Sequence, residues 1–542
     1  MRLLPAALVA AALTACGSSS KPASQAPPSG KPAGSACAAT GECQPGLLCV
    51  QAICAPAPPA SSSCVPPGAA RVVLGDPVAV TEPPPGACVT PIRDPVLPAS
   101  ELQDLGELAV GTKAQFQVPA GTASVTIFSQ EVPGTAVADV TLSGFTVPNS
   151  VVPTDVLMPD GRVFFDDLAP YPVVDGYDDV TGLLAYYGIA TPISGAFEAP
   201  NTSAALDLVL SAGQMPPGTW SFTVNDWARE CLSVKGCSGG STDGTYRVHV
   251  VTHPGPIAPT GTLDLEVYLV TDPAGELPDA AAAVASPQTA RWAAGIADLL
   301  AGAGLCVGTV TFHDLPAWVR ARFAPNGSVD VSGGAMGVPA NQVPAGCDDL
   351  SQLFTLGVAP RRGVHLFVAE ELVDASSPGI GTTLGVDGSI PGPSGFPGTV
   401  NGGAIIGIFG TFGREAVPGA CGASSPPGFA CGTDLLAYVA SHETGHWLGL
   451  YHTTEFDGIL FDPLVDTPTC PCAQCVPAAH RATCAENGAR NPTLVTASSC
   501  AKDAPVCGGA QNLMFWQLDR SISTGQLSRE QGEVMRLNPA VH

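Results

Sequence analysis

The chain has 542 residues, which is too long for one ordinary domain and predicts two or three domains with buried cores. It carries 22 Lys and Arg against 47 Asp and Glu, a formal net charge of -25 at pH 7. Because it also lacks a cluster of basic residues that could follow a phosphate backbone, we expect no nucleic-acid partner.

The N-terminus has the features of an export signal. An apolar run from Leu3 to Leu13 follows Arg2 and is too short to span a bilayer, which predicts a signal peptide over 1–15. The run ends in Leu-Thr-Ala-Cys at Cys16, which resembles the lipobox of bacterial lipoproteins. That resemblance implies lipidation of the Cys16 thiol and anchoring at the cell envelope, in the outer membrane or at the cell surface. The alternative is a plain signal peptide with a cysteine near its cleavage site.

Two segments without a predicted apolar core come next. Residues 16–36 are rich in Gly, Ser and Pro and predict a flexible tether. Residues 37–70 hold closely spaced cysteines between Cys37 and Cys54 and then a proline-rich connector. This pattern predicts a small disulfide-stapled unit.

Of the 19 cysteines, 18 remain once Cys16 is set aside, and an even number in an exported chain favours disulfides. The expected local groups are Cys37 to Cys54, Cys231 with Cys237, Cys306 with Cys347, Cys421 with Cys431, and the six cysteines from Cys470 to Cys507. An alternative for the last group is a second zinc site formed by Cys470, Cys472, Cys475, Cys484 and His480, which oxidising surroundings disfavour.

The range 71–256 consists of short alternating runs such as "ASVTIFS", "TWSFTVND" and "TYRVHVV", separated by Gly and Pro turns. This texture predicts an all-β sandwich. The pieces "VPAGTASVTI" and "PPGTWSFTVND" resemble jelly-roll accessory domains that accompany secreted peptidases. A Pro/Gly stretch at 253–261 predicts a linker at the end of the sandwich.

The range 257–542 alternates strands and helices, which predicts an α/β (α+β) domain with a twisted mixed sheet. The expected elements are strands at 263–270, 306–315, 364–372 and 403–409 and a helix at 288–304. A Gly/Pro-rich excursion separates the last two strands. After the last strand, "TDLLAYVASHETGHWLG" predicts a helix of about four turns that ends at Gly449.

Three of the chain's nine histidines lie near the end of this helix, two on it and one just after it. His442 and His446 are four residues apart, so both imidazoles leave one helix face and can bind one metal ion. Glu443 lies near the position where such a metal holds water and can accept the water's proton. Gly449 lets the chain leave the helix in a left-handed conformation, and His452 returns as a third ligand. Three neutral imidazoles and one water form an open, catalytic zinc site.

The string His-Glu-x-x-His-x-x-Gly-x-x-His is the metzincin signature, so the chain resembles that class of zinc endopeptidase. The resemblance implies a metzincin-type catalytic domain that hydrolyses peptide bonds in protein or peptide substrates, with Glu443 as general base. It also implies a Met-turn at Met514, which alone would be core filler. We expect extended substrate to lie antiparallel along an edge strand at 403–409, "GAIIGIF".

After the third histidine the resemblance narrows to the pappalysin family. "GHWLGLYHTTE" and "FDPLVDTPTC" match its Asp-Thr-Pro element and cysteine-rich loop, and "LSREQGEVMRLNP" matches its final helix. The resemblance implies a structural Ca²⁺ site at Asp457, Asp462 and Asp466, with solvated loop acids and a helix cap as the alternative. Trp516 stands where family members often carry tyrosine. An indole cannot replace the phenol there, and we expect Trp516 to shape a substrate pocket.

Three alternatives compete with a zinc peptidase. The histidines could be satisfied by backbone partners, or the site could bind metal in an inactive enzyme. A third alternative is a surface adhesin or binding lipoprotein whose sandwich recognises a partner while an idle zinc site holds the fold. A structural zinc site is usually closed by a fourth protein ligand, and none is evident in the sequence.

Overall fold

The structure is a computed structural model that describes residues 47–50, 53–56, 70–84, 88, 94–132, 140–142, 145–147, 151–165, 194–226, 237–239, 244–256, 258–270, 277–324, 328–332, 347–373, 383–407, 411–487 and 492–542. Three predicted features lie outside these residues: the signal peptide (1–15), the lipidation expected at Cys16 and the tether expected at 16–36. So do most of the segment 37–70 and Cys231, one member of the predicted pair Cys231 with Cys237.

The strands are short and are numbered in chain order. They are β1 Leu47–Val50, β2 Ile53–Pro56, β3 Arg71–Leu74, β4 Leu102–Ala109, β5 Lys113–Val118, β6 Thr122–Glu131, β7 Val140–Leu142, β8 Phe145–Val147, β9 Val151–Leu157, β10 Val163–Phe165, β11 Ser194–Ala199, β12 Gly218–Asp226, β13 Cys237–Gly239, β14 Thr245–Pro254, β15 Gly261–Leu269, β16 Leu305–Asp314, β17 Ser328–Asp330, β18 Val364–Ala369, β19 Glu371–Val373, β20 Gly385–Asp387 and β21 Ala404–Gly407.

The helices are concentrated in the second half of the chain. They are α1 Ser203–Ala212, α2 Ala280–Ala285, α3 Pro287–Ala301, α4 Ala317–Phe323, α5 Asp349–Phe354, α6 Gly432–Trp447, α7 Cys472–Cys475 and α8 Arg529–Leu537, with 3-10 turns at Ala478–Thr483 and Ala485–Asn487.

Two antiparallel four-stranded sheets form a sandwich. Their strand orders are β10-β9-β12-β5 and β11-β6-β14-β4. Along β5 buried residues alternate with exposed ones, as expected for a strand with one face in a core. Phe116 and Trp220 from one sheet and Ile127 and Val248 from the other belong to one apolar cluster. The two sheets therefore enclose a common core.

A six-stranded sheet of order β20-β21-β18-β15-β16-β3 forms the centre of an α/β unit. Its strands run parallel except β20, which pairs antiparallel with β21. Residues of α3 and α6 belong to the core on one face, and residues of α4 and α5 belong to the core on the other. Every residue of β18 is buried, as expected for a parallel strand covered on both faces. The protein is thus a mixed α/β multidomain chain with several sheets.

Two strands differ from the sequence-based expectation. Arg71–Leu74 pairs with β16 in the six-stranded sheet, although 71–256 was expected to form the sandwich alone. The expected edge strand at 403–409 is also wrong, because its central residues Ala404–Gly407 lie between β18 and β20. Among the described strands, this edge is formed by Gly385–Asp387, a three-residue strand inside a Gly/Pro-rich stretch that carries no alternating pattern.

The disulfides are partly as expected. Cys421 pairs with Cys431, and the C-terminal cysteines form three bridges among themselves, which contradicts a second zinc site with His480. The pair Cys306 with Cys347 is wrong: Cys347 pairs with Cys88, 259 residues away, and Cys306 is disulfide-bonded elsewhere. A disulfide between residues so far apart in sequence forms because the tertiary fold brings the two cysteines together. Disulfides are typical of exported proteins.

The described helices include none with the length and apolar character needed to cross a membrane.

Candidate metal centre

Helix α6 carries two of the three histidines and is almost completely buried. Its first turn is fixed by Asp434, whose two carboxylate oxygens each accept a hydrogen bond of 2.8 Å from Arg291 on α3. Both side chains are nearly buried, and a bidentate pair of this kind has a defined geometry. The helix is therefore held at its start by α3, while its C-terminal end carries the site.

The three histidines converge on one point. His452 Nε2 lies 3.2 Å from His442 Nε2 and 3.2 Å from His446 Nε2. One nitrogen of each ring lies within 4.8 Å of the others. Zinc–nitrogen bonds of 2.0–2.1 Å at tetrahedral angles place ligand nitrogens about 3.3 Å apart. The spacing of these nitrogens therefore fits a zinc ion.

The remaining nitrogen of each ring is held by an oxygen acceptor. The pairs are His442 Nδ1 with Leu513 O at 2.6 Å, His446 Nδ1 with Leu450 O at 2.7 Å, and His452 Nδ1 with Glu455 Oε1 at 3.1 Å. Because an oxygen acceptor fixes the proton on Nδ1, the Nε2 lone pairs all face one another. Three facing lone pairs repel unless a cation lies between them. Backbone partners thus satisfy only one nitrogen of each helix histidine, and the donor set fits a metal ion.

The electrostatic surroundings keep the helix histidines neutral. Burial lowers the pKa of His442 to about 3 and that of His446 well below its ordinary value, and the neighbouring His452 adds to both shifts. A metal ligand must be a neutral imidazole. The two rings are therefore in the ligand form over the physiological pH range.

Glu443 lies one residue after the first histidine and is 5% exposed. Its carboxylate packs against Gly385 of the edge strand so closely that a Cβ at that position would collide with it. Burial raises the pKa of Glu443 to about 7, the range in which a general base works best at neutral pH. The acid thus contacts the edge strand and follows a candidate metal ligand directly in the sequence.

Met514 lies beneath the helix turn that joins the two histidines. It is fully buried, and its sulfur abuts Gly445, where a Cβ would clash with it. Its carbonyl accepts a 3.0 Å hydrogen bond from Thr453 N, next to His452. The turn therefore contacts both the helix and the loop that carries the third histidine.

The three acids expected to bind calcium form no metal-sized group among the described residues, although Asp462 and Asp466 are neighbours: burial, and then the Asp466 charge, raises the pKa of Asp462. Asp457 accepts from Ile459 N at 3.0 Å, and Asp462 accepts from the Thr467 hydroxyl. Asp466 accepts from Ser528 Oγ at 2.6 Å and Glu530 N at 2.9 Å, and so it caps helix α8. Within the described ranges, the histidines alone form a group of three or more side chains tight enough for a metal.

Trp516 packs against the buried cluster of the disulfide-rich C-terminal loop. Its indole NH donates to Val495 O at 2.9 Å, and its ring lies 6.3 Å from that of Phe456. The side chain is half-buried. Its expected part in a substrate pocket stays a prediction.

Sequence reasoning missed three residues of the site. Glu455 follows the third histidine by three positions, a spacing that could have been recognised in "HTTE". Gly385 and Asp387 lie in a Gly/Pro-rich stretch without a pattern that predicts them. Burial raises the pKa of Asp387 well above its ordinary value, and the nearby Glu443 charge adds to this shift.

The chain matches no protein-family model, and no curated protein is significantly similar to it.

Proposed function

We propose that the protein is an exported, lipid-anchored zinc endopeptidase of the metzincin class, similar to the pappalysins. The observation that carries this proposal is the convergence of three imidazole Nε2 atoms beside a buried glutamate. Cys16 would hold the lipid anchor, and protein or peptide chains would be the substrates. The disulfides support a place outside the cytoplasm.

His442, His446 and His452 would hold the metal, which when bound would supply Lewis-acid polarisation of the scissile carbonyl and would acidify water. Glu443 accepts the proton that the attacking water loses and donates it to the departing amine. Burial of Glu443 disfavours the charged carboxylate and so favours its uptake of the proton that the water loses.

The edge strand Gly385–Asp387 supplies the surface for the substrate backbone. Antiparallel pairing along an edge strand fixes an extended peptide through main-chain hydrogen bonds and needs few side-chain contacts. Since Gly385 touches the Glu443 carboxylate, a peptide on this edge would pass beside the general base. Broad sequence tolerance follows from such backbone recognition.

Glu443→Gln tests the proposal. The variant keeps the size of the side chain but removes the basic group, so cleavage of denatured casein should fall by about a hundredfold or more. Zinc content, measured by atomic absorption, should stay at the wild-type level. Glu107→Gln, at an exposed position on β4, is the matched control and should retain full activity.

The same pair of measurements separates the enzyme from an adhesin with an idle zinc site. Wild-type protein that is loaded with zinc and cleaves nothing in a broad panel of denatured proteins would rule out the peptidase. Retained cleavage in Glu443→Gln would rule out the role given to that carboxylate.

A further inference from the structure

A buried segment of the sandwich, residues 198–203, enters the α/β unit next to the metal centre. We call it the docking segment; it joins β11 to α1. At its far end, Ser203 Oγ donates to the Glu530 carboxylate of α8 and accepts a 2.8 Å hydrogen bond from Val465 N. The sandwich is therefore joined to the C-terminal part of the α/β unit by buried polar contacts, and not by apolar packing alone.

Glu198 begins the docking segment and is 1% exposed. Its Oε2 accepts a 2.9 Å hydrogen bond from Asn538 Nδ2, just after α8. The same amide nitrogen lies 3.5 Å from Trp447 O at the end of α6. Glu198 Oε2 also lies 3.3 Å from the point that a Cβ of Gly449 would occupy. The side chain thus reaches the turn at which the chain leaves the histidine helix.

That turn sets the position of two metal ligands. Gly449 has φ +98°, and its N–H donates to His446 O at 2.9 Å. The next residue, Leu450, provides the carbonyl that fixes the His446 ring through its 2.7 Å contact with Nδ1. His452 follows two residues later. A shift at Gly449 would therefore move the acceptor of one ligand and the backbone of another.

Burying the Glu198 carboxyl group beside the Gly449 turn costs free energy. Its Oε1 is buried and has no hydrogen-bond partner among the described residues. Among the described residues, the neutral amide of Asn538 is its one hydrogen-bond partner, and burial raises the pKa of Glu198 to about 8. Burying a carboxyl group without a cationic partner destabilises a fold relative to an apolar side chain. We therefore expect the carboxyl group at this buried position to have a role in the neighbouring metal centre.

We propose that Glu198 is a positioning residue for the metal centre. Together with Asn538 it holds the Gly449 turn in the conformation that aims His446 and His452 at the ion. The sandwich is on this view a part of the metal-binding scaffold. The inference rests on the metal binding proposed for the histidines and does not depend on peptide hydrolysis.

The test measures zinc affinity in the full chain by competition with a chromophoric chelator. Partners one step removed from the ligands change metal affinity by about 10- to 100-fold, and Glu198 acts through one further contact, so Glu198→Ala should weaken zinc binding about 3- to 10-fold. Glu198→Gln keeps the shape and the acceptor for Asn538, and it should stay within about twofold of wild type.

Glu101→Ala is the matched control, because Glu101 also crosses from the sandwich to the α/β unit, in an ion pair with Arg362. It should lower the melting temperature without changing zinc affinity. If Glu198→Ala does not fold, Asn538→Ala breaks the same link and should show the same loss.

Equal zinc affinity in wild type and Glu198→Ala would overturn the inference while leaving the zinc site in place. So would an equal loss in Glu101→Ala, since the effect would then be general to the interface. A wild-type protein that binds no zinc would overturn both this inference and the proposed function.

Discussion

The histidine cluster and the acids around Asp462 lie in the same C-terminal region, and the sequence predicts a metal site at each. In the structure, each histidine uses one ring nitrogen to hold itself in place and turns the other toward a common point. The acids differ from one another. Both oxygens of Asp466 accept hydrogen bonds at the start of α8, whereas Asp462 accepts from Thr467 through Oδ1, and its buried Oδ2 has no hydrogen-bond partner among the described residues.

The difference shows what a metal site requires beyond suitable residue types. A side chain can act as a ligand when a second partner orients it and one donor atom is left free. Imidazole has two nitrogens and divides these tasks between them. An aspartate that caps a helix has both oxygens occupied, as Asp466 does. Asp462 keeps one oxygen free, but among the described residues this oxygen does not belong to a metal-sized group of donor atoms.

The largest expected effect comes from removing a ligand. His446→Ala should lower zinc affinity by more than about a hundredfold, because loss of a ligand exceeds the effect of losing an outer-shell partner. Zinc content after dialysis checks this result. Asp462→Asn is the counterpart in the acidic region and should keep full zinc content. Equal zinc loss in both variants would erase the distinction between the two regions.

Removing an orienting partner should have a smaller effect. Glu455→Ala deprives His452 Nδ1 of its carboxylate acceptor and should weaken zinc binding about 10- to 100-fold. Chelator competition measures it. Unchanged affinity would show that the ring orientation of His452 does not depend on Glu455.

In the acidic region, we expect a substitution to lower the stability of the fold and to leave metal binding unchanged. Asp466→Asn weakens the acceptor that Ser528 and Glu530 N share at the start of α8, which should cost about 1 kcal/mol in the free energy of unfolding. Urea denaturation measures it, with and without added calcium. A large stabilisation by calcium in the wild type that is lost in the variant would instead support a calcium site.

The last expected effect is a pH dependence of stability. Burial, and then the Asp466 charge, raises the pKa of Glu530 above its ordinary 4.5, while Arg529 opposes the shift. Above pH 4.5 the unfolded chain loses this proton before the folded chain does, so the free energy of unfolding falls as pH rises through the raised pKa. Glu530→Gln should flatten that decline in melting curves recorded from pH 5 to 8. A decline as steep as that of the wild type would assign the effect to other groups.

Local patterns in the sequence predict the parts of the site that lie on one element. His442 and His446 could be placed on one face because the helix period alone brings them together, and Gly449 was recognisable because its left-handed turn ends the helix. The sandwich texture and most strands of the α/β unit were predictable from alternating and continuous apolar runs for the same reason.

Features that depend on distant pairing could not be predicted. "RVVL" at 71–74 has the same apolar pattern whichever sheet receives it, and β16 is more than 200 residues away in the chain. The partner of Cys347 is similarly remote, and Glu198 sits in an ordinary strand pattern. In each case the tertiary fold selects the partner.

The pairing of β3 with β16 makes the α/β unit discontinuous in sequence. Strand β3 belongs to the six-stranded sheet, and the next strand of that sheet in chain order is β15. The sandwich is inserted between these two strands. The disulfide between Cys88 and Cys347 links the segment that follows β3 to the α/β unit. Trimming the protein to 257–542 would therefore strip a strand from the sheet and uncover the hydrogen-bonding edge of β16, which favours aggregation over a working fragment.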